Sequence, residues 1–269
     1  MSFNERLDEV CYAQNSHVCV GLDLDIRKIP AYLLETERPL YTFAQNIIDA
    51  TSEYVAAYKL NTAFYEALGV DGWKLMADIV KLIPRNIICI ADAKRADIGN
   101  TSKMYARAFF REFTFDAITL NPYLGIDGIA PFIEDENKGA IILCLTSNRS
   151  AQDFQYTEDN GLFLYEKVAK KVEEWNTLNN CCLVVGATHP QELRKVRELA
   201  PDLPFLIPGI GAQGGDLELS VKHTFNLAHH SSIFNSSRGI LYGSDSDDYH
   251  VVAGQRSREL RDEINKYKI

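Results

Sequence analysis

Short unbroken apolar runs alternate with helically patterned segments along most of this chain. The runs are His17–Leu22, Val55–Leu60, Asn86–Ala91, Ala117–Leu120, Ala140–Leu145, Cys182–Gly186, Phe205–Ile207 and Ser232–Phe234. Their length and lack of internal polar alternation fit buried parallel strands better than half-exposed ones. Between them, Leu40–Tyr54, Lys74–Leu82 and Leu162–Trp175 carry helical periodicity, and Pro190–Leu199 opens on a proline suited to a helix N-terminus. Alternating strands and helices imply right-handed βαβ units. A doubly wound open sheet meets that pattern. Eight units in 269 residues fit a closed (β/α)8 TIM barrel of the phosphate-binding type better. No Pro/Gly/Ser-rich linker divides the chain, so a single domain over residues 1–269 is expected.

A barrel collects all strand C-termini on one face, where active groups are expected. The strand exits here are unusually polar. They carry Asp23, Lys59-Leu60-Asn61, Asp92-Ala93-Lys94, Asn121, Thr146-Ser147-Asn148, Thr188, Pro208-Gly209-Ile210-Gly211 and Asn235-Ser236-Ser237-Arg238-Gly239. The segment Ile90 to Thr101 is the most informative, because an apolar strand runs directly into Asp92, Lys94, Arg95 and Asp97. Side chains alternate along a strand, so Asp92 and Lys94 are expected on one face. A solvated ion pair at a strand end explains that segment alone. It does not explain Asp23, Lys59, Asp92 and Lys94 gathered at the same end of eight strands.

The exits of the last two strands add glycine-rich turns, Pro208 to Gly215 and Ser236 to Gly239. Glycines let backbone N–H groups approach an anion, Arg238 can fork onto phosphate oxygens, and Gln213 can donate an amide hydrogen. Phosphate-binding barrels commonly hold their anion at these two loops.

Composition narrows the partners. With 28 Lys and Arg against 37 Asp and Glu, the formal charge is −9, which disfavours nucleic acid and anionic membranes. No apolar stretch reaches membrane-spanning length, and the N-terminus lacks the pattern of a secretory signal. Five of the six cysteines lie in apolar runs, which reads as buried thiols in a reducing, cytoplasmic setting. There is no Cys-x-x-Cys or paired-histidine spacing, so no metal site is expected; His229-His230 reads as surface. Phe109, Phe110 and Phe113 read as core or interface, Glu134-Asp135-Glu136 as a solvated turn, and 149–160 as a polar loop near the pocket or plain decoration.

The Asp-x-Lys-x-x-Asp after strand three, with a lysine ending strand two, resembles the orotidine 5′-phosphate decarboxylase family, most closely its longer bacterial-type subfamily. The similarity spans essentially the whole chain. It implies conversion of orotidine 5′-monophosphate to UMP and CO2 without a cofactor, in a homodimer whose active sites are shared across the interface. By motif position the resemblance implies a charged array of Lys59, Asp92, Lys94 and Asp97. Asp97 would come from the partner subunit, as would Thr101, a ribose contact. It implies Asp23 as a ribose-hydroxyl ligand, Ser147 as a pyrimidine ligand, and Gln213 and Arg238 as phosphate ligands. Ser237 departs from the glycine many relatives carry before the arginine. Two alternatives stay open: a metal-dependent sugar-phosphate decarboxylase or aldolase on the same barrel, and a non-catalytic nucleotide-binding barrel. Lys59 stands where the first alternative would carry an acidic residue for its metal.

Overall fold

The computed structural model describes residues 1–188, 190–210, 216–225 and 232–268. Eight parallel strands close into a barrel. They are β1 (Val18–Gly21), β2 (Ala57–Asn61), β3 (Ile88–Arg95), β4 (Ala117–Leu120), β5 (Gly139–Leu145), β8 (Cys181–Val185), β9 (Phe205–Pro208) and β10 (Ile233–Ser236). Each pairs with its sequential barrel neighbour, and β1 closes against β10. Two further short strands, β6 (Glu158–Asp159) and β7 (Leu162–Phe163), form a separate antiparallel ribbon. All eight expected strands are therefore present and close as expected.

Period-two alternation divides the apolar residues into two cores. One set, Cys19, Ala57, Ile88, Ile90, Ala117, Ile141, Cys182, Val184, Leu206 and Ile233, forms a cluster in the barrel lumen. Phe3, Leu7, Val10 and Cys11 of the helix Phe3–Ala13 join it and plug the N-terminal end. That helix starts at a capping box, with Glu5 N–H donating to the Ser2 hydroxyl and Ser2 N–H to the Glu5 carboxylate. The intervening strand positions, such as Val18, Val20, Tyr58, Leu60, Cys89 and Ala91, belong to the larger shell between strands and outer helices. Stepping by two along the lumen phase from Ala57, Ile88 and Ala117 leads to Lys59, Asp92 and Thr119. The charged residues thus continue the inward-facing column at its C-terminal end.

Several boundaries shift from the sequence expectations. The second helical segment starts at Gly69 rather than Lys74, because Gly69 and Gly72 dilute the pattern of its first turn. Gly72 is needed for packing, since a Cβ there would lie 1.8 Å from the Tyr65 carbonyl oxygen. Leu162 and Phe163 belong to the ribbon, and the helix begins at Leu164. The last strand covers Ile233–Ser236, so Asn235 and Ser236 are strand rather than loop residues. The 149–160 segment is largely structured, with a 3-10 turn at Arg149–Asp153 followed by the ribbon. All six cysteines are buried, and none forms a disulfide. No helix among the described residues is long and apolar enough to cross a membrane.

Candidate active site

A cavity of about 420 Å³ opens at the C-terminal ends of the strands. Its walls are chemically asymmetric. On the β2–β4 side stand Lys59, Asp92, Lys94 and Thr119, whereas Leu143, Val184, Leu206 and Ile210 form an apolar side. Asp23, Ser147 and Arg238 also line it.

The charged side is a connected array. Lys59 Nζ donates to Asp92 Oδ2 at 3.0 Å, and Lys94 Nζ donates to Asp92 Oδ1 at 2.6 Å. Asp23 Oδ1 lies 3.9 Å from Lys59 Nζ. Lys59 is 4 % exposed. Burial alone would lower the pKa of such an ammonium, but the carboxylates of Asp92 and Asp23 outweigh it and hold the proton more tightly than in water. Burial likewise opposes ionisation of Asp92, yet Lys59 and Lys94 together hold its carboxyl well below the usual range. Lys59 and Asp92 therefore stay ionised at neutral pH, and the exit of β2 carries a buried cation.

Asp92 and Lys94 do meet, though simple alternation does not bring them together. The β3–β4 register passes from Ala91↔Ile118 to Arg95↔Leu120, so β3 bulges across this stretch. Lys94 sits in the bulge with φ +48°, the left-handed region, and its side chain stays 48 % exposed at the cavity wall.

A profile described as the orotidine 5′-phosphate decarboxylase / HUMPS family matches residues 16–248. The chain belongs to the orotidine 5′-phosphate decarboxylase family. The orotidine 5′-phosphate decarboxylase of Dehalococcoides mccartyi is 47% identical over 272 residues, spanning 100% of this chain and 99% of that protein. Among solved structures, Leishmania donovani UMP synthase superposes with a TM-score of 0.89 at 38% identity; the match covers 99% of this chain and 56% of that one. Leishmania donovani OMP decarboxylase superposes with a TM-score of 0.85 at 36% identity, covering 99% of this chain and 100% of the other.

Of the residues the family resemblance singles out, Asp23, Lys59, Asp92, Lys94, Ser147 and Arg238 are brought to one cavity. Asp97 and Thr101 are not part of its lining. Asp97 Oδ1 accepts from the Ile98 backbone N–H at 2.8 Å, and Thr101 is exposed on the helix Gly99–Arg107. Gln213 lies outside the described residues, whereas Asp216 caps the helix Leu217–Thr224 by accepting from Leu219 N–H. His229-His230 also falls outside them.

The decarboxylase-family site is braced from outside the cavity. Tyr65 hydroxyl donates to the Leu22 carbonyl at 2.9 Å, and Tyr242 hydroxyl donates to the Asp23 carbonyl at 2.8 Å. Tyr242 also accepts from Asp25 N–H, so two tyrosines grip the backbone around Asp23. Asp23 Oδ1 is buried without a hydrogen-bond partner, an acceptor left available beside the cavity. Across the barrel, Gln155 clamps Thr146: its carbonyl accepts from Thr146 N–H at 2.8 Å and its amide donates to the Thr146 hydroxyl at 2.8 Å. The 149–160 segment thereby holds the turn that presents Ser147. Gly186 lets this turn approach β8, since a Cβ there would lie 3.0 Å from Ser147 Cα, Cβ and N.

The Arg238 guanidinium makes no hydrogen bond or ion pair among the described residues, and the residue lines the cavity just past the end of β10. Ser237, beside it, occupies the space over Gly21, where a Cβ would lie 2.0 Å from its hydroxyl oxygen. Gly21 thus permits the β1–β10 seam to close under the arginine.

Sequence reasoning did not single out Thr119, which lines the cavity together with the strand-exit residues Asn61 and Asn235. Its signal was a lone polar residue in an otherwise apolar strand, Ala117-Ile118-Thr119-Leu120. In the lumen phase such a residue must face the site.

Proposed function

We propose that this chain converts orotidine 5′-monophosphate to UMP and CO2, the reaction for which its relatives are named. The observation that carries the reading is the contiguous Lys59–Asp92–Lys94 array, with Asp23 beside it, in one cavity with the guanidinium of Arg238. Such a site offers an anion cradle at one end and fixed charge at the other. That separation suits a nucleoside monophosphate whose base, not its phosphate, reacts.

The chemistry follows from the charges. Cleaving the C6–carboxylate bond expels CO2 and leaves an electron pair on C6, with no adjacent π system to absorb it. Preorganised positive charge stabilises such a centre far better inside a cavity than in water. Lys94 is the group we assign to C6: its ammonium stabilises the carbanion, then transfers a proton to it, giving UMP, and regains that proton from solvent. Asp92 keeps Lys94 oriented through the 2.6 Å contact. Lys59, buried and firmly protonated, fixes the other oxygen of Asp92 so that this carboxylate does not swing towards the substrate. Asp23, whose buried Oδ1 has no hydrogen-bond partner among the described residues, accepts from a ribose hydroxyl. Ser147 meets the pyrimidine, and Arg238 with Gln213 holds the phosphate. The apolar side, Leu143, Val184 and Leu206, favours release of neutral CO2 over its return as a carboxylate.

We further propose that the chain acts as a single barrel domain in a cytoplasmic homodimer. The partner subunit's Asp97 and Thr101 would complete each site, covering the exposed flank of Lys94. Ile98, Met104 and Leu124, exposed by 56 %, 49 % and 43 %, are the apolar surface available near that segment.

The test is direct. Purified protein, assayed by absorbance with orotidine 5′-monophosphate in the presence of EDTA, should turn the substrate over. Turnover that needs an added divalent metal would favour the sugar-phosphate alternative, and nucleotide binding without turnover would favour the non-catalytic barrel.

A further inference from the structure

We infer that the Thr119 hydroxyl is a positioning group, one that locks the Lys94 backbone to the Asp92 carboxylate and so sets where the Lys94 ammonium points. The inference rests on the decarboxylase reading for its catalytic consequence, but its geometry stands independently.

Thr119 is 1 % exposed, in the lumen phase of β4, opposite the bulge in β3. The bulge places four steps of β3, Ala91 to Arg95, against two steps of β4, Ile118 to Leu120. Backbone N–H groups in such a stretch lose their ladder partners and must find others or pay the desolvation cost of a buried unsatisfied donor. The Lys94 N–H donates to Thr119 Oγ1 at 2.9 Å. The same hydroxyl donates its own proton to Asp92 Oδ1 at 2.9 Å. That oxygen is the one receiving Lys94 Nζ. One hydroxyl thus ties the main chain of Lys94 to the carboxylate that receives its side chain, closing a small ring.

The ring has a job the strand cannot do. A non-glycine residue at φ +48° is held in a sparsely populated conformation that persists only where its surroundings over-determine it. With its side chain 48 % exposed, packing constrains Lys94 little. The constraint comes from Asp92 and Thr119. The hydroxyl also divides the Asp92 oxygens, with Oδ1 serving Lys94 and Thr119 and Oδ2 serving Lys59. Valine matches threonine in shape but has neither donor nor acceptor, whereas serine keeps both.

The experiment compares Thr119→Val, Thr119→Ser and wild type, each first checked for folding by circular dichroism and thermal melting. In Thr119→Val, kcat for orotidine 5′-monophosphate should fall by about 100-fold, as expected for a misplaced reacting group, with KM and UMP affinity changed by no more than roughly threefold. Thr119→Ser should recover most of the lost kcat. Independently of turnover, amide exchange at Lys94, read by NMR, should speed up by roughly tenfold in Thr119→Val and stay near wild type in Thr119→Ser. A folded Thr119→Val protein with wild-type kcat overturns the inference, as does loss confined to KM or Lys94 exchange that does not respond. A wild type inert towards orotidine 5′-monophosphate overturns the parent reading instead, and the exchange data still decide whether Thr119 holds the Lys94 backbone.

Discussion

Replacing Asp92 by asparagine removes the one negative charge that touches both lysines of the array. Asp92 accepts from Lys59 at 3.0 Å and from Lys94 at 2.6 Å. At an effective dielectric near 20, each contact is worth about 5–6 kcal/mol of Coulomb attraction, much of it offset by the desolvation of burying the charges. What the substitution leaves behind decides the net effect. Lys94, half in solvent, rehydrates cheaply. Lys59, at 4 % exposure, does not. Its remaining carboxylate, Asp23, lies 3.9 Å away, and the ammonium becomes largely uncompensated. Breaking a buried pair in this way costs about 3–5 kcal/mol. The pH dependence carries a sign. In the wild type the Lys59 pKa is raised, so its contribution to stability is fully present below the ordinary lysine range, near 10.5, and fades above it. In Asp92→Asn, burial is opposed chiefly by the more distant Asp23, and the prediction is that the pKa falls below that value. The unfolded chain then binds the extra proton, and stability rises with pH up to 10.5. Urea unfolding of both proteins at pH 7 and pH 9.5 measures this. Asp92→Asn should be less stable by about 3–5 kcal/mol at pH 7, with the gap narrowing at the higher pH, and should have lost turnover. A variant within about 1 kcal/mol of wild type at pH 7, with a gap that does not change with pH, would refute the electrostatic account of the array.

Lys94→Ala should abolish decarboxylation while leaving UMP affinity nearly intact by calorimetry; near-normal turnover would remove Lys94 from the mechanism. Mixing Lys94→Ala with Asp97→Ala chains should restore activity through hybrid sites, and no recovery despite demonstrated subunit exchange would argue against sharing. Gly21→Ala would bring a Cβ to 2.0 Å from the Ser237 hydroxyl oxygen and 3.0 Å from its Cβ, so stability should drop by about 1–3 kcal/mol and KM should rise as the loop bearing Arg238 shifts. Adding Ser237→Gly should recover most of both losses, and failure to do so would place the strain elsewhere. His17 Nδ1–H donates to the Ser232 carbonyl at 2.9 Å and its Nε2 accepts from the Lys268 ammonium at 2.7 Å; burial, then Lys268, push its pKa down to about 3. Its contribution is therefore complete above 6.5 and lost as pH falls below that value, so unfolding midpoints should decline from pH 7 to 5 more steeply in wild type than in His17→Gln.

The barrel was legible because its strands are buried on both faces and read as unbroken apolar runs. The cavity was legible because polar residues interrupt that pattern at strand exits alone. Elements whose pattern is set by close approach were less so: Gly69 and Gly72 hid the first turn of a helix, and Leu162-Phe163 read as helix although they pair across a ribbon. Strand alternation predicted that Asp92 and Lys94 meet, but not the bulge and positive φ that bring them there. Thr119 escaped notice because a β-branched residue in a strand is ordinary, and its importance arises from what faces it across the register shift. Gln155, nine residues from the threonine it clamps, lies in a polar stretch whose composition reads as loop.

The central claim is that the Lys94 ammonium stands against C6 of a nucleotide whose phosphate rests on Arg238. A crystal structure of the protein with UMP bound measures this in one step. The account predicts the phosphate on Arg238, a ribose hydroxyl on Asp23, and C6 about 3–3.5 Å from Lys94 Nζ. A phosphate bound away from Arg238, or a base whose C6 faces Leu143 and Val184 with Lys94 turned to solvent, would contradict it.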